Sequence, residues 1–164
     1  MIIVYESKSG FTKKYATMLS EIIGLKSYHT SEISKISKDE EIIFLGWIKI
    51  GKIQGLSKFS DYNVKAVCGS GTARRAEPDE ETLLKRNSIE DIPFFYLRGG
   101  CLPLKKLKGI DKIMMIMFVS MLKKRKDKSE EIIESINTIE NGFDGVKEEN
   151  LLSIIHWFNS KESN

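Results

Sequence analysis

The N-terminal stretch constrains the fold most, because an apolar run gives way there to a helical pattern across a short polar loop. Residues 2–5 are β-branched or aromatic without a polar interruption, which is typical of a parallel strand buried on both faces. Beyond Gly10 the apolar residues recur at intervals of three and four, the spacing of an amphipathic helix. They are Phe11, Tyr15, Met18, Leu19, Ile22 and Ile23. The pattern predicts a strand, a loop and a helix in succession.

The loop between this strand and helix is rich in small hydroxyl residues. Ser7, Ser9 and Thr12 offer hydroxyls, and Gly10 permits close approach to the backbone. Together with the amides of a helix start, these groups suit a phosphate. The loop lacks the glycine spacing of a dinucleotide fingerprint and the Gly-Lys-Ser/Thr ending of a nucleotide-triphosphate loop. The alternative is an ordinary N-cap, in which Ser9 or Thr12 satisfies the helix amides without any ligand.

Four further strand candidates alternate with helical or glycine-rich segments. They are residues 26–29, 42–46, 64–68 and 93–97. A short helix is predicted within residues 56–62, and another begins at residues 78–82 with acidic side chains in its first turn. Because parallel strands need crossover connections, we predict an α/β fold. It is a doubly wound sheet of five parallel strands in the order 2-1-3-4-5, with helices on both faces.

The loops that follow the predicted strands are candidates for a shared site. In such a sheet, ligands bind outside the carboxyl ends of the strands where the strand order reverses, here beside the first and third strands. The loops predicted to converge there are residues 7–12, 47–51, 69–75 and 98–104. For each loop taken singly, the alternative is that its glycine only makes a turn.

Composition limits the classes of protein that the chain can belong to. Its 164 residues, 41% hydrophobic and 30% charged, suit one domain over residues 1–164, with a helical C-terminal part over 104–160. A formal charge of +3 does not indicate nucleic-acid binding. Cys68 and Cys101 lack the companions of a metal site, which favours a reduced, cytoplasmic protein. No basic region precedes an apolar one at the start, so we expect no signal peptide.

Several of these segments resemble the flavodoxin-domain family. The loop Ser-Lys-Ser-Gly-Phe-Thr at residues 7–12 matches Thr/Ser-x-Thr/Ser-Gly-x-Thr, with which flavodoxins hold the phosphate of flavin mononucleotide (FMN). Residues 43–51 and 97–103 are similar to the part of the family that includes the oxygen-independent, quinone-linked protoporphyrinogen IX dehydrogenase of bacteria. So is the tail, with an apolar Met-rich helix at 110–122, a charged segment at 123–128 and a final helix at 146–158. Trp47 departs from that dehydrogenase, which carries a small residue there.

The resemblance implies a flavodoxin-like fold, an FMN cofactor and a set of binding residues. These are Ser7, Lys8, Ser9, Gly10, Phe11, Thr12, Trp47, Ile48, Lys49, Gly69, Ser70, Gly71, Thr72, Arg98, Gly99 and Gly100. Trp47 would stack on the flavin ring, or else pack on the sheet edge. Lys49 and Arg98 would steady the reduced flavin or pair with substrate propionates, or else be ordinary surface cations. No catalytic side chain or metal is expected, because the flavin supplies the redox step.

The function implied is oxidation of a small-molecule redox substrate, a porphyrinogen, with a quinone as acceptor. The alternative is an electron carrier or an FMN-binding module without a turnover substrate. A receiver domain shares the topology but needs an acidic cluster after the first strand and an Asp after the third. Glu6 stands alone and Trp47 follows Gly46, so that class is disfavoured.

The segment 105–125 is apolar in its middle and basic at both ends. Residues 113–119 are apolar around the whole helix, with three lysines within 105–108 and three cations at 123–125. The run is too short to span a bilayer, which takes about 20 apolar residues. We expect a core helix that closes one face of the sheet. A peripheral contact at the inner face of the membrane and an oligomer contact are the alternatives.

Overall fold

The computed structural model describes residues 1–127 and 129–163. The predicted charged segment 123–128 therefore ends at a residue outside the described part. The chain forms two compact units. The first comprises Met1–Gly99 and Gly145–Asn164, and the second comprises Gly100–Asp144.

The first unit is built on a mostly parallel sheet. Its strands are β1 (Ile2–Glu6), β2 (Ser27–His29), β3 (Ile42–Lys49), β4 (Lys52–Ile53), β5 (Val64–Gly71) and β6 (Phe94–Arg98). The parallel strands lie in the order β2-β1-β3-β5-β6, and β4 pairs antiparallel with β3. The predicted flavodoxin-like architecture is confirmed, with β5 and β6 as the predicted fourth and fifth strands. The short β4 was not predicted.

Helices cover both faces of this sheet. On one face, α1 (Phe11–Ile23) and α5 (Leu152–Glu162) bury side chains against the strands. That core includes Tyr15, Leu19, Ile43, Leu45, Ile154 and Phe158. On the other face, α2 (Glu80–Asn87) contributes Leu84 to a second core, which includes Phe44, Phe59, Val67 and Ile89. The central strands are apolar along their whole length because both faces of the sheet are buried.

Two crossover connections are shorter than an ordinary helix. A single 3₁₀ turn, Leu56–Phe59, replaces the helix predicted within 56–62, and Phe59 is its buried residue. The polar connection after β2 forms another 3₁₀ segment, Thr30–Lys35. Too few apolar residues recur in these segments to bury a helix face. The final helix also begins later than predicted, because residues 148–151 form a 3₁₀ turn before α5.

The second unit is a small helical pair with a two-stranded ribbon. Strand β7 (Gly100–Cys101) pairs antiparallel with β8 (Phe143–Asp144), between which lie α3 (Gly109–Lys124) and α4 (Glu130–Asn141). The two helices pack together, and Lys123 Nζ lies 2.6 Å from Glu140 Oε1. Within residues 1–127 and 129–163, no helix is both long and apolar enough to cross a membrane.

The expectation that the Met-rich helix is a core helix is wrong. Only Val119 and Leu122 of α3 are buried, whereas Met117 is 67% exposed. Within its unit α3 packs on α4 and on the turn Leu104–Lys106, which leaves much of an all-round apolar helix uncovered.

Candidate functional site

The carboxyl ends of four parallel strands meet at one edge of the sheet. Glu6 at the end of β1 is in register with Gly46, which is in register with Gly69 of β5. Gly71 at the end of β5 pairs with Arg98 at the end of β6. The loops after β1, β3 and β5 therefore begin at the same edge, and the strand order reverses between β1 and β3, as a ligand crevice requires.

Gly10 shapes the loop between β1 and α1. Its φ of +92° lies in a region that glycine adopts readily and L side chains avoid. A Cβ added at Gly10 would meet nothing within 4 Å, so backbone conformation, not crowding, favours glycine. The loop thus turns the chain into α1 while leaving open space at Gly10.

The start of α1 is not capped by Ser9 or Thr12. Gly10 has no side chain to cap the helix, and the side-chain hydrogen bond to the first turn comes from Ser7, whose Oγ accepts from Lys13 N at 3.2 Å. A helix start presents its remaining backbone amides and the positive end of the helix dipole. The residue predicted for the N-cap alternative is therefore corrected, because Ser7 and not Ser9 or Thr12 supplies the hydroxyl that accepts from a helix amide. Ser9 is exposed, whereas the Thr12 side chain is buried.

Two cations lie beside this helix start. Lys8 Nζ is 5.6 Å from the centroid of the Trp47 ring, and Lys14 Nζ is 5.6 Å from that of Phe11. The first contact joins the loop after β1 to strand β3. Positive charge, the amides of the helix start and serine hydroxyls together form a donor set that fits a phosphate.

Residues 47–49 belong to strand β3, whereas the sequence pattern predicts them in a glycine loop. Trp47 is half-buried and in register with Ser70, and Gln54 N donates to Trp47 O at 2.9 Å. Ile50 and Gly51, with φ of +50° and +71°, make the two-residue turn into β4. Lys49 is exposed on this hairpin.

A cavity of about 780 Å³ and another of about 570 Å³ open on the first unit, and the second lies at the ligand edge. The smaller cavity is bordered by the β3–β4 turn, by the loop after β5 and by β6. Its lining includes Ile48, Ile50, Gly51, Gly71, Thr72, Ala73, Glu77, Pro78, Arg86 and Tyr96. Its size is in the range of small-molecule sites.

Tyr96 lines this cavity and is not among the site residues predicted from the sequence. Its hydroxyl donates to Ala73 O at 2.8 Å and so holds the loop after β5. Burial, the largest cause, raises the pKa of Tyr96 to about 12, so the hydroxyl remains a donor at neutral pH. A signal was present in the sequence, since a tyrosine lies two residues before Arg98 in a strand, where alternation puts both on one face.

Packing explains three of the glycines at this edge. A Cβ at Gly71 would lie 2.6 Å from the Tyr96 hydroxyl, and one at Gly99 would lie 2.6 Å from Ser70 Oγ. A Cβ at Gly69 would lie 3.0 Å from Ile48 Cδ1 and from the Phe94 ring. These glycines let neighbouring strands and side chains approach closely, whether or not a ligand is bound.

A hydrogen-bond network fixes the backbone at the end of β6. Tyr15 Oη donates to Arg98 O at 2.5 Å, and Asn150 Nδ2 donates to Tyr15 Oη at 2.5 Å. Gly99 N donates to Gly71 O at 2.7 Å. Arg98 is half-buried at the ligand edge, whereas Gly100 is the first residue of the second unit.

A family model described as a flavodoxin domain matches residues 2–129. The chain belongs to the flavodoxin-domain family. Flavodoxin domains generally bind FMN, and membership suggests an FMN-binding function in electron transfer. No individually curated protein matches the sequence significantly. In this flavodoxin domain, the start of α1, with its backbone amides and the Ser7 and Ser9 hydroxyls, has the chemistry of donor groups that suits an FMN phosphate.

Proposed function

We propose that the chain binds FMN at this edge and acts as an FMN-dependent dehydrogenase of the protoporphyrinogen IX type, with a quinone as electron acceptor. One observation carries the FMN proposal: the N-cap position of the 13-residue helix α1 is Gly10, which has no side chain to cover the backbone amides of the helix start. Free amides and the positive end of a helix dipole favour a phosphate. Family membership supports the same cofactor.

The proposed binding residues divide between the phosphate and the ring. Ser7, Lys8, Ser9, Gly10, Phe11 and Thr12 would hold the phosphate. Those that would border the ring are Trp47, Ile48, Lys49, Gly69, Ser70, Gly71, Thr72, Arg98 and Gly99, together with Tyr96, whereas the predicted Gly100 belongs to the second unit. When bound, FMN would accept electrons from the substrate and release them to the acceptor. The protein's part is to bind, orient and shield the reacting groups.

Two cations at the ends of β3 and β6 favour an anionic substrate. Lys49 is exposed on the β3–β4 hairpin, and Arg98 lies at the end of β6 with its backbone held by Tyr15. Arginine and lysine form strong, charge-assisted hydrogen bonds with carboxylates. Substrate propionates would therefore be oriented by these two side chains. The resemblance of residues 43–51 and 97–103 to the dehydrogenase supports the same substrate class.

The second candidate function is that of an electron carrier without a turnover substrate. Membership of the flavodoxin-domain family favours it, because the match over residues 2–129 is to a flavodoxin domain and not to a particular dehydrogenase. The two candidates share FMN binding and differ in whether a porphyrinogen reduces the flavin.

Binding is tested first, by titrating the folded protein with FMN. We expect quenching of the flavin fluorescence and a shifted flavin absorbance band. If folded protein at saturating FMN shows neither change, both candidate functions fail.

The FMN form is then mixed anaerobically with protoporphyrinogen IX. A dehydrogenase loses its flavin absorbance, and Lys49→Ala or Arg98→Ala slows that loss, whereas Lys26→Ala, just before β2, does not. Bound flavin that the porphyrinogen leaves oxidised favours the carrier.

A further inference from the structure

Helix α3 exposes a continuous apolar face, here called the α3 stripe. Six large side chains form it, and their exposed fractions range from 43% to 75%. They are Ile110, Ile113, Met114, Met117, Phe118 and Met121. Their spacing of three, four and seven residues puts them on one side of the helix.

The stripe is not the face by which α3 holds its own unit together. The buried residues of α3 are Val119 and Leu122, which lie on the other side of the helix, and Lys123 pairs with Glu140 of α4 at 2.6 Å. A surface helix with one buried face normally carries polar side chains opposite to it. An exposed apolar face of this extent marks a binding surface.

Positive charge surrounds the α3 stripe. Residues 105–126 contain eight Lys or Arg residues and one acidic residue, Asp111. Lys105, Lys106 and Lys108 precede the stripe, and an exposed basic cluster at 124–126 follows it. The basic groups thus flank the apolar face at both ends.

We infer that the α3 stripe docks on an anionic membrane surface, with α3 lying in the plane of the interface. An apolar face bordered by Lys and Arg is the pattern of an interfacial helix, and anionic headgroups attract nearby basic side chains. At about 1.5 Å per residue the 16-residue helix is too short to cross the bilayer. This inference is independent of the proposed redox function.

The charges also argue against a second copy of the chain as the occupant. Pairing two α3 stripes would bring two strongly basic segments together, and like charges repel. An anionic lipid surface instead complements both the apolar stripe and its basic flanks.

The test is co-sedimentation of the full-length protein with phosphatidylcholine vesicles that do or do not contain phosphatidylglycerol. We expect binding to the anionic vesicles and much weaker binding to phosphatidylcholine alone or at high salt. Ile113→Ser with Met117→Ser should lower the partition coefficient about tenfold or more, because two apolar side chains no longer enter the interface. Leu152→Ser, a change at a similarly exposed apolar residue of α5, should leave it unchanged.

The basic flank is tested with charge-matched variants. Lys105→Gln with Lys106→Gln should weaken binding about tenfold or more, whereas Lys26→Gln with Lys58→Gln, which removes the same charge elsewhere, should have a much smaller effect. Circular dichroism shows whether each variant is folded. The inference is overturned if wild-type protein does not bind anionic vesicles, or if the stripe variant binds as well as wild type. It is also overturned if sedimentation velocity shows a dimer that the stripe variant dissociates, without vesicle binding.

Discussion

Gly10 and Gly24 stand at the two ends of α1 and have the same backbone requirement. Their φ values are +92° and +71°, and a Cβ added at either would meet nothing within 4 Å. They differ in their surroundings, because Gly10 adjoins the proposed phosphate site and Gly24 caps the far end of the helix. Alanine substitutions at these two glycines therefore separate the loss of stability caused by backbone strain from the loss of FMN affinity.

Gly10→Ala is expected to lower the free energy of unfolding by about 1 kcal/mol, since an L side chain disfavours positive φ. Its Cβ would also occupy the space before the α1 amides, so FMN affinity should fall about tenfold or more. Gly24→Ala should show a similar loss of stability with unchanged FMN affinity. Urea unfolding and FMN titration measure the two quantities. Equal FMN affinity in the two variants would contradict a phosphate site at Gly10.

The β3–β4 hairpin and α2 are joined by one side chain. Asn87, at the end of α2, accepts from Ile53 N at 2.8 Å and donates to Gly51 O at 2.9 Å. It also donates to Leu83 O at 2.8 Å within its own helix. Ile50 and Gly51 line the cavity. The turn that they form is held by Asn87, which is more than thirty residues away in sequence.

Asn87→Ala is expected to lower the free energy of unfolding by about 2 kcal/mol, because it leaves partly buried backbone groups of the hairpin without their partners. FMN affinity should fall as well, since the hairpin borders the cavity. Asn87→Asp keeps an acceptor for Ile53 N and should recover part of both losses. Chemical unfolding and FMN titration measure them. An Ala variant as stable as wild type would show that the hairpin is held without Asn87.

The sequence predicted correctly those strands and helices that are determined by the spacing of neighbouring apolar residues. The strands and α1 follow from apolar runs and from the three-four spacing after Gly10, and the predicted strand order matches the observed one. The hairpin is not distinguishable from a loop in the sequence, because Gly51 and Gly55 are turn signals whether or not a strand pairs beyond them. Tyr96 and Asn87 were missed since their partners, Ala73 and Gly51, are neighbours only in the folded register. Burial of α3 was predicted wrongly, because an all-round apolar helix does not reveal how many neighbours cover it.

At the scale of the whole molecule, the second unit is an insertion whose two ends are held together. The chain leaves the first unit at Gly99 and returns at Gly145, and Gly145 N donates to Gly99 O at 2.8 Å. Asn150 Nδ2 donates to both Tyr15 Oη and Gly145 O, at 2.5 and 3.0 Å. The network that fixes the end of β6 therefore also fixes the point at which the chain returns. An insertion between two adjacent points adds little strain to its host.

Replacing residues 100–144 with a short glycine linker should leave the first unit folded, because its two cores consist of residues outside that segment. Gly99 and Gly145 are hydrogen-bonded directly, so the linker has almost no distance to span. The shortened chain should keep its α/β circular dichroism and a cooperative unfolding transition. It should retain FMN binding through residues 7–12 and lose vesicle binding with α3. Adding Tyr15→Phe to it should lower the free energy of unfolding by about 1 kcal/mol, since the hydroxyl that joins α1 to Arg98 and Asn150 is lost. A shortened chain that does not unfold cooperatively would show that the first unit depends on the second for its stability.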